Sequence, residues 1–144
     1  MIDPIRLSLE VECAVDLAHR DSGAPDPLVF VGDGFEALEY LRRTGRHAVR
    51  SGSPRIGIIL LDLNMPGMDG RENLQMIRAD PTLRRVPVVI LTTSAADTDV
   101  AMCYDLGANS YIIKPSSYAS LVHMFKHLSS FWFEVSSLAP EVTR

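Results

Sequence analysis

The chain has 144 residues, 47% of them apolar and 22% charged, with a formal net charge of -4. This is the size of one ordinary domain with enough apolar material for a core, and the acidic balance excludes the basic footprint of a nucleic-acid binder. No run approaches the roughly 18 apolar residues of a membrane span, and Met1-Ile2-Asp3-Pro4 lacks the basic and apolar regions of a signal peptide. A cytoplasmic protein with no nucleic-acid or membrane partner is expected. Cys13 and Cys103 form no metal-ligand cluster, so each reads as a buried free thiol.

In chain order, Leu9, Cys13 and Leu17 with Val11, Ala14 and Ala18 fall at helical spacing. Ser8 stands as a candidate N-cap and Gly23 as a stop, giving a helix from Ser8 to Arg20. Only a short strand fits before it, at Ile5-Arg6-Leu7. The competing reading takes Ile5 to Glu12 as an alternating strand. Leu28 to Val31 is a β-rich run ended by Gly32-Asp33-Gly34, and Phe35 to Arg43 an amphipathic helix stopped at Gly45. Thr44 to Arg55 is a polar, basic surface loop in which His47 has no sequence partner.

Ile58-Ile59-Leu60-Leu61 runs unbroken into Asp62 and a Pro/Gly-rich loop to Gly70. A continuous aliphatic run bounded by turn formers is a strand buried on both faces, as in a parallel sheet. Glu72 to Ala79 is a helix with Leu74, Met76 and Ile77 as its apolar set. Val86 to Leu91 is a second buried strand leading into Thr92-Thr93-Ser94. Asp97 to Leu106 is a helix with Val100, Ala101, Tyr104 and Leu106 as its apolar set, closed at Gly107. Ser110 to Ile113 is a strand ended by Lys114-Pro115. Ser116 or Ser117 then caps a last helix carrying Leu121, Val122, Phe125 and Leu128.

Strands alternating with helices over short crossovers imply a doubly wound parallel α/β sheet. Such strands present their carboxyl ends on one edge, so Asp62, Thr92 and Lys114 should converge in one crevice. A carboxylate, a hydroxyl and an ammonium together suit phosphoryl chemistry, with the aspartate itself as acceptor. Mg²⁺ needs few protein ligands, and Asp62 with the backbone carbonyl of Asn64 could supply two.

Three motifs in order carry a resemblance. They are Leu61-Asp62-Leu63-Asn64-Met65-Pro66-Gly67-Met68-Asp69-Gly70, Leu91-Thr92-Thr93-Ser94, and Gly107-Ala108-Asn109-Ser110-Tyr111-Ile112-Ile113-Lys114-Pro115. From Phe30 to about Leu128 the chain resembles a response regulator receiver domain of two-component signalling. Its finer texture is similar to the single-domain regulators of phytochrome histidine kinases. The resemblance implies a five-stranded receiver (flavodoxin-like) fold, no enzyme activity of its own, and a sensor histidine kinase as partner. It implies that Asp62 is the phosphoacceptor, Thr92 the hydroxyl that turns toward the phosphoryl group, and Lys114 the cation that pairs with it. Asp62 and Asn64 would hold Mg²⁺. Tyr111 would be the aromatic that follows the threonine, and Pro115 the residue joined to Lys114 by a cis bond.

The family's first strand ends in an acidic pair that helps hold the metal, and no such pair is evident. The family's spacing lands near Arg6-Leu7, and the other candidates are Asp3, Glu10 and Glu12. The first strand is therefore expected to be short, divergent or displaced, and Mg²⁺ binding and phosphorylation weakened. A missing strand would expose its neighbours' edges and invite strand exchange between copies. The expected division is a receiver over residues 1–130 and an aromatic extension over 131–144. In the extension, Phe131-Trp132-Phe133 suits a homodimer contact. No output domain follows, so output should pass through protein contact or onward relay. A pseudo-receiver that acts as a dimeric module without phosphate is the alternative. A small phosphatase with an aspartyl intermediate is disfavoured, since no second acid lies near Asp62.

Overall fold

The computed structural model describes residues 5–8, 13–25, 28–31, 33–45, 56–64 and 68–140, with backbone alone at 5–8 and 13–14. Five strands form one parallel sheet: β1 (Ile5–Ser8), β2 (Leu28–Phe30), β3 (Ile56–Leu61), β4 (Val88–Thr92) and β5 (Ser110–Ile113), in the order β2-β1-β3-β4-β5. Among the described residues five α-helices connect or follow them: α1 (Cys13–Asp21), α2 (Gly34–Arg42), α3 (Gly70–Ala79), α4 (Asp97–Asp105) and α5 (Tyr118–Ser129). This is the doubly wound parallel sheet expected from the alternating pattern.

The two-residue period of the central strands builds both faces of the sheet. Ile59 and Leu61 of β3 join Val88 and Ile90 of β4 in one apolar cluster under α2, α3 and α4. Ile58, Leu60, Val89 and Leu91 point the other way, into a cluster with Val15 and Ala18 of α1 and Leu121, Phe125 and Leu128 of α5. Ile58 to Leu61 are wholly buried, and full burial of each such side chain contributes about 1.5–3 kcal/mol. The polar group that ends β3 is therefore held by a rigid support.

The first thirty residues depart from the favoured sequence reading. The helix starts at Cys13, not Ser8, and Ser8 is the last residue of β1. Tertiary pairing wins over local spacing here. Arg6, Leu7 and Ser8 register with Leu28, Val29 and Phe30 on one side and with Ile58, Ile59 and Leu60 on the other. The strand is short, and its register slips between Ile5 and Arg6. It occupies the sheet between β2 and β3, so the argument for strand exchange through exposed neighbouring edges falls away. Gly23, at φ 71, ends α1 region as anticipated.

Other boundaries shift by small amounts. Asp33 and Asp69 cap α2 and α3, with side chains accepting from Glu36 N, and from Arg71 N and Glu72 N. Ser117, not Ser116, caps α5 by accepting from Ser120 N. On α4 the apolar set differs: Cys103 is the buried residue, while Ala101 and Tyr104 are exposed. Burial raises the Cys103 thiol pKa, with Arg71 lowering it and Asp99 raising it less strongly, as befits an inert packed thiol. The side chain of Cys13, and most of the basic loop with His47, lie outside the described residues.

After α5 the chain continues helically as a π-helix over Ser130–Val135. Trp132 and Phe133 pack back against the α1/α5 cluster. Phe131 is half exposed and meets Trp132 edge-on, with ring centroids 5.1 Å apart. Between β5, α5 and this segment lies an open groove of about 490 Å³, lined chiefly by Ile112, Met124, His127, Leu128, Phe131 and Trp132.

Candidate functional site

Asp62 directly follows β3 and is half-buried at the carboxyl edge of the sheet. One carboxylate oxygen accepts the Asn64 backbone N–H at 3.0 Å. The other lies 3.9 Å from Lys114 Nζ. The register explains how they meet. Leu61 pairs with Ile90 and Thr92 with Ile113, so Asp62, Thr92 and Lys114 leave three adjacent strands at nearly one level. The Lys114 N–H also donates to the Thr92 carbonyl at 2.7 Å. The lysine and aspartate side chains are only 9% and 16% exposed, so little water screens the pair.

Thr92 is wholly buried, and its hydroxyl has no hydrogen-bond partner among the described residues. An orphaned buried hydroxyl costs free energy unless an acceptor arrives. Gly70 brings the start of α3 onto the site: a Cβ there would lie 2.3 Å from the Asp62 carbonyl oxygen. Its N–H donates to the Leu63 carbonyl at 3.1 Å. Only glycine permits this approach.

Tyr111 is half-buried against the α2/α3/α4 cluster and donates its hydroxyl to the Ser94 carbonyl at 2.9 Å. Desolvation raises its phenol pKa, and the Ser94 bond lowers it by less. Residues not singled out from sequence surround this bond. Ser94 Oγ donates to Asp99 Oδ2 at 2.6 Å, and Arg71 Nη2 to Asp99 Oδ1 at 3.0 Å. Arg71 and Asp99 lie on different helices, and no short motif links them.

Two expectations are corrected or bounded. The Lys114–Pro115 bond is trans, since no peptide bond among the described residues is cis. Trans is the lower-energy isomer even before proline, by about 0.5–1 kcal/mol. Arg6 and Leu7 lie within β1, registered with Ile58 and Ile59, so neither ends the strand. Asp3 precedes that strand, whereas Glu10 and Glu12 follow it. All three lie outside the described residues. Glu10 follows Ser8 by the same count that separates Asp62 from Leu60, the partner of Ser8.

Comparison with known proteins decides the family. The model of the response regulator receiver domain matches residues 29–126, well over half of the chain. The chain belongs to the response regulator receiver family. Response regulator Rcp1 of Synechocystis sp. is 41% identical over 111 residues, covering 77% of this chain and 74% of that protein. The crystal structure of the phosphorylated cyanobacterial phytochrome response regulator RcpA superposes with a TM-score of 0.87 at 37% identity, covering 96% of this receiver and all of that chain. The Mn²⁺-bound form of Rcp1 gives 0.84 at 34% identity, with 96% and 100% covered. This receiver is thus related to phytochrome response regulators, in a family of signalling modules. No helix among its described residues is long and apolar enough to cross a membrane.

Proposed function

We propose that this receiver accepts a phosphoryl group on Asp62 from a phosphohistidine of a sensor histidine kinase, and that the kinase is of the phytochrome type. The observation that carries the reading is the Lys114–Asp62 pair beside a buried Thr92 hydroxyl that has no partner among the described residues. An Asp62 oxygen attacks phosphorus, the phosphorus–nitrogen bond of the donor breaks, and the histidine leaves neutral after taking up a proton. Lys114 offsets charge on the phosphoryl oxygens. The Thr92 hydroxyl donates to one of those oxygens and gains the acceptor it lacks. The resemblances to phytochrome response regulators support the choice of kinase.

Mg²⁺ fits this site through few protein ligands. Asp62 and the backbone carbonyl of Asn64 would hold it. When bound, the ion neutralises charge developing on the transferring group. Among the described residues no group of three or more His, Cys, Asp or Glu could hold a metal. Glu10 is the best remaining source of a second carboxylate.

That single certain carboxylate favours one alternative, a pseudo-receiver working as a dimeric interaction module. Half-exposed Phe131, exposed Val135 and the groove beside them suit a contact between two copies. A beryllofluoride titration with and without Mg²⁺ separates the readings. The phosphoacceptor reading expects saturable, Mg²⁺-dependent binding that disappears in Asp62→Asn. Absence of binding at millimolar Mg²⁺ would leave the pseudo-receiver. Light scattering of Phe131→Glu tests the dimer, and an unchanged dimer mass would remove this segment from the contact.

A further inference from the structure

Three hydrogen bonds outside the phosphoacceptor pocket join elements that flank it. Asp99 sits in the first turn of α4 and uses both carboxylate oxygens: Oδ1 accepts from Arg71 of α3 at 3.0 Å, Oδ2 from the Ser94 hydroxyl at 2.6 Å. The Ser94 carbonyl accepts from Tyr111 of β5 at 2.9 Å. Bonds to a carboxylate are shorter and about twice as strong as neutral ones. The Arg71 and Asp99 side chains are 31% and 25% exposed, so the pair is only partly screened.

Two members of this chain of bonds, Arg71 and Ser94, reach the site. Arg71 follows Gly70, whose backbone lies against the Asp62 carbonyl. Ser94 follows two residues after Thr92, in the segment joining β4 to α4. With its hydroxyl tied to α4 and its carbonyl tied to Tyr111, Ser94 is fixed at both polar groups.

We propose that Asp99 is a positioning latch: by tying Arg71 to Ser94 it fixes the carbonyl that receives the Tyr111 hydroxyl, holds Tyr111 inward, and preorganises the Thr92 segment for a phosphoryl group on Asp62. The last step rests on the reading of Asp62 above; the hold on Tyr111 does not. Without the latch, ordering the Ser94 segment and the tyrosine becomes a cost of phosphoryl binding. The two bonds to Asp99 act as a unit, so breaking either releases Ser94.

The test compares Asp99→Ala and Ser94→Ala in the full chain with Asp97→Ala. Asp97 shares the first turn of α4 and its charge, but is exposed and outside the latch. Two readouts are taken: the NMR signals of the Tyr111 ring without phosphate, and the affinity for Mg²⁺–beryllofluoride. The latch expects Tyr111 to shift toward a solvent-exposed, averaged ring in both latch variants but not in Asp97→Ala. It also expects them to bind beryllofluoride about 5-fold or more weakly. A Tyr111 ring unchanged in both latch variants overturns the proposal. So does tighter beryllofluoride binding, which would mean that the latch opposes the phosphorylated arrangement. If the unaltered chain binds no beryllofluoride, the reading of Asp62 fails, and the Tyr111 signals alone still decide whether the latch exists. Ser94→Ala removes one hydroxyl and no charge, so the test survives if Asp99→Ala folds poorly.

Discussion

The Lys114 ammonium lies 3.9 Å from the Asp62 carboxylate although the two residues end different strands, with β4 between them in the sheet. Truncating one partner of a low-exposure pair leaves the other charge without its counter-ion. Lys114→Ala is therefore expected to cut phosphoryl transfer to Asp62 by at least about 10-fold while leaving the fold intact, since a tenfold change needs only about 1.4 kcal/mol of lost transition-state stabilisation. Labelling rates with a small phosphodonor, paired with circular dichroism, check this. An unchanged rate would remove Lys114 from the site.

Thr92 offers a sharper separation of stability from function. Its hydroxyl is buried with no partner among the described residues. Replacing such a group by an apolar one of the same shape is nearly neutral or stabilising. Thr92→Val should keep or raise the melting temperature of the unphosphorylated chain, yet weaken beryllofluoride binding. A loss of stability of more than about 1 kcal/mol would mean that the hydroxyl has a partner in solution.

Gly70→Ala should be costly, because its Cβ would meet the Asp62 carbonyl oxygen at 2.3 Å and Leu63 Cα at 2.7 Å, both backbone atoms. Overpacking of this kind costs about 1–3 kcal/mol, occasionally more. Denaturant unfolding measures it, and a neutral variant would show that α3 does not pack on the site as described.

Arg78 is a clamp at the amino ends of β4 and β5, the opposite end of the strands from Asp62. Its guanidinium donates to the carbonyls of Gly107, Val86 and Arg84 and to Asn109 Oδ1, at 2.7 to 3.2 Å. Burial lowers its pKa from the usual arginine value. Arg78→Met should destabilise the chain by about 2–4 kcal/mol, as four part-buried or exposed acceptors each lose a bond worth about 1 kcal/mol. Arg78→Lys should rescue little, since a lysine cannot reproduce the fork. Full rescue by lysine would show that charge, not geometry, is what matters.

Acid should weaken the fold through Asp80. Burial raises its carboxyl, but the Thr82 hydroxyl and amide and the Arg42 guanidinium together lower it below the usual aspartate value. A carboxyl depressed in the folded state adds stability that is present above its unfolded pKa of about 4 and lost as pH falls through the folded value. Asp80→Asn should flatten the loss of stability below about pH 4, measured by urea unfolding at a series of pH values. An unaltered slope would place the acid sensitivity elsewhere.

What could be read from sequence followed the sheet. Ile58 to Leu61 and Val88 to Leu91 are continuous aliphatic runs, and each is followed by the polar group of the site, so Asp62 and Thr92 were placed by strand-end logic alone. Lys114 followed from the same logic. The start of the chain was harder, because Leu9, Cys13 and Leu17 satisfy a helical period while Ile5 to Ser8 also suits a strand. Only pairing with β2 and β3 decides between them. Cys103 is legible as a buried thiol from its residue type, as found, but helical spacing alone does not choose it over Ala101 and Tyr104, which look equally apolar. The link between Arg71 and Asp99 carries no local signature: it exists only once α3 and α4 are laid on the same face of the sheet.

The central claim is that Asp62 is a working phosphoacceptor. Incubation with acetyl phosphate and Mg²⁺, followed by intact-mass and peptide mass spectrometry, tests it most directly. The account predicts one added phosphoryl group on the peptide carrying Asp62, slower to appear at low Mg²⁺ and absent in Asp62→Asn. No added mass at saturating Mg²⁺ and donor, or equal labelling of Asp62→Asn, would contradict it.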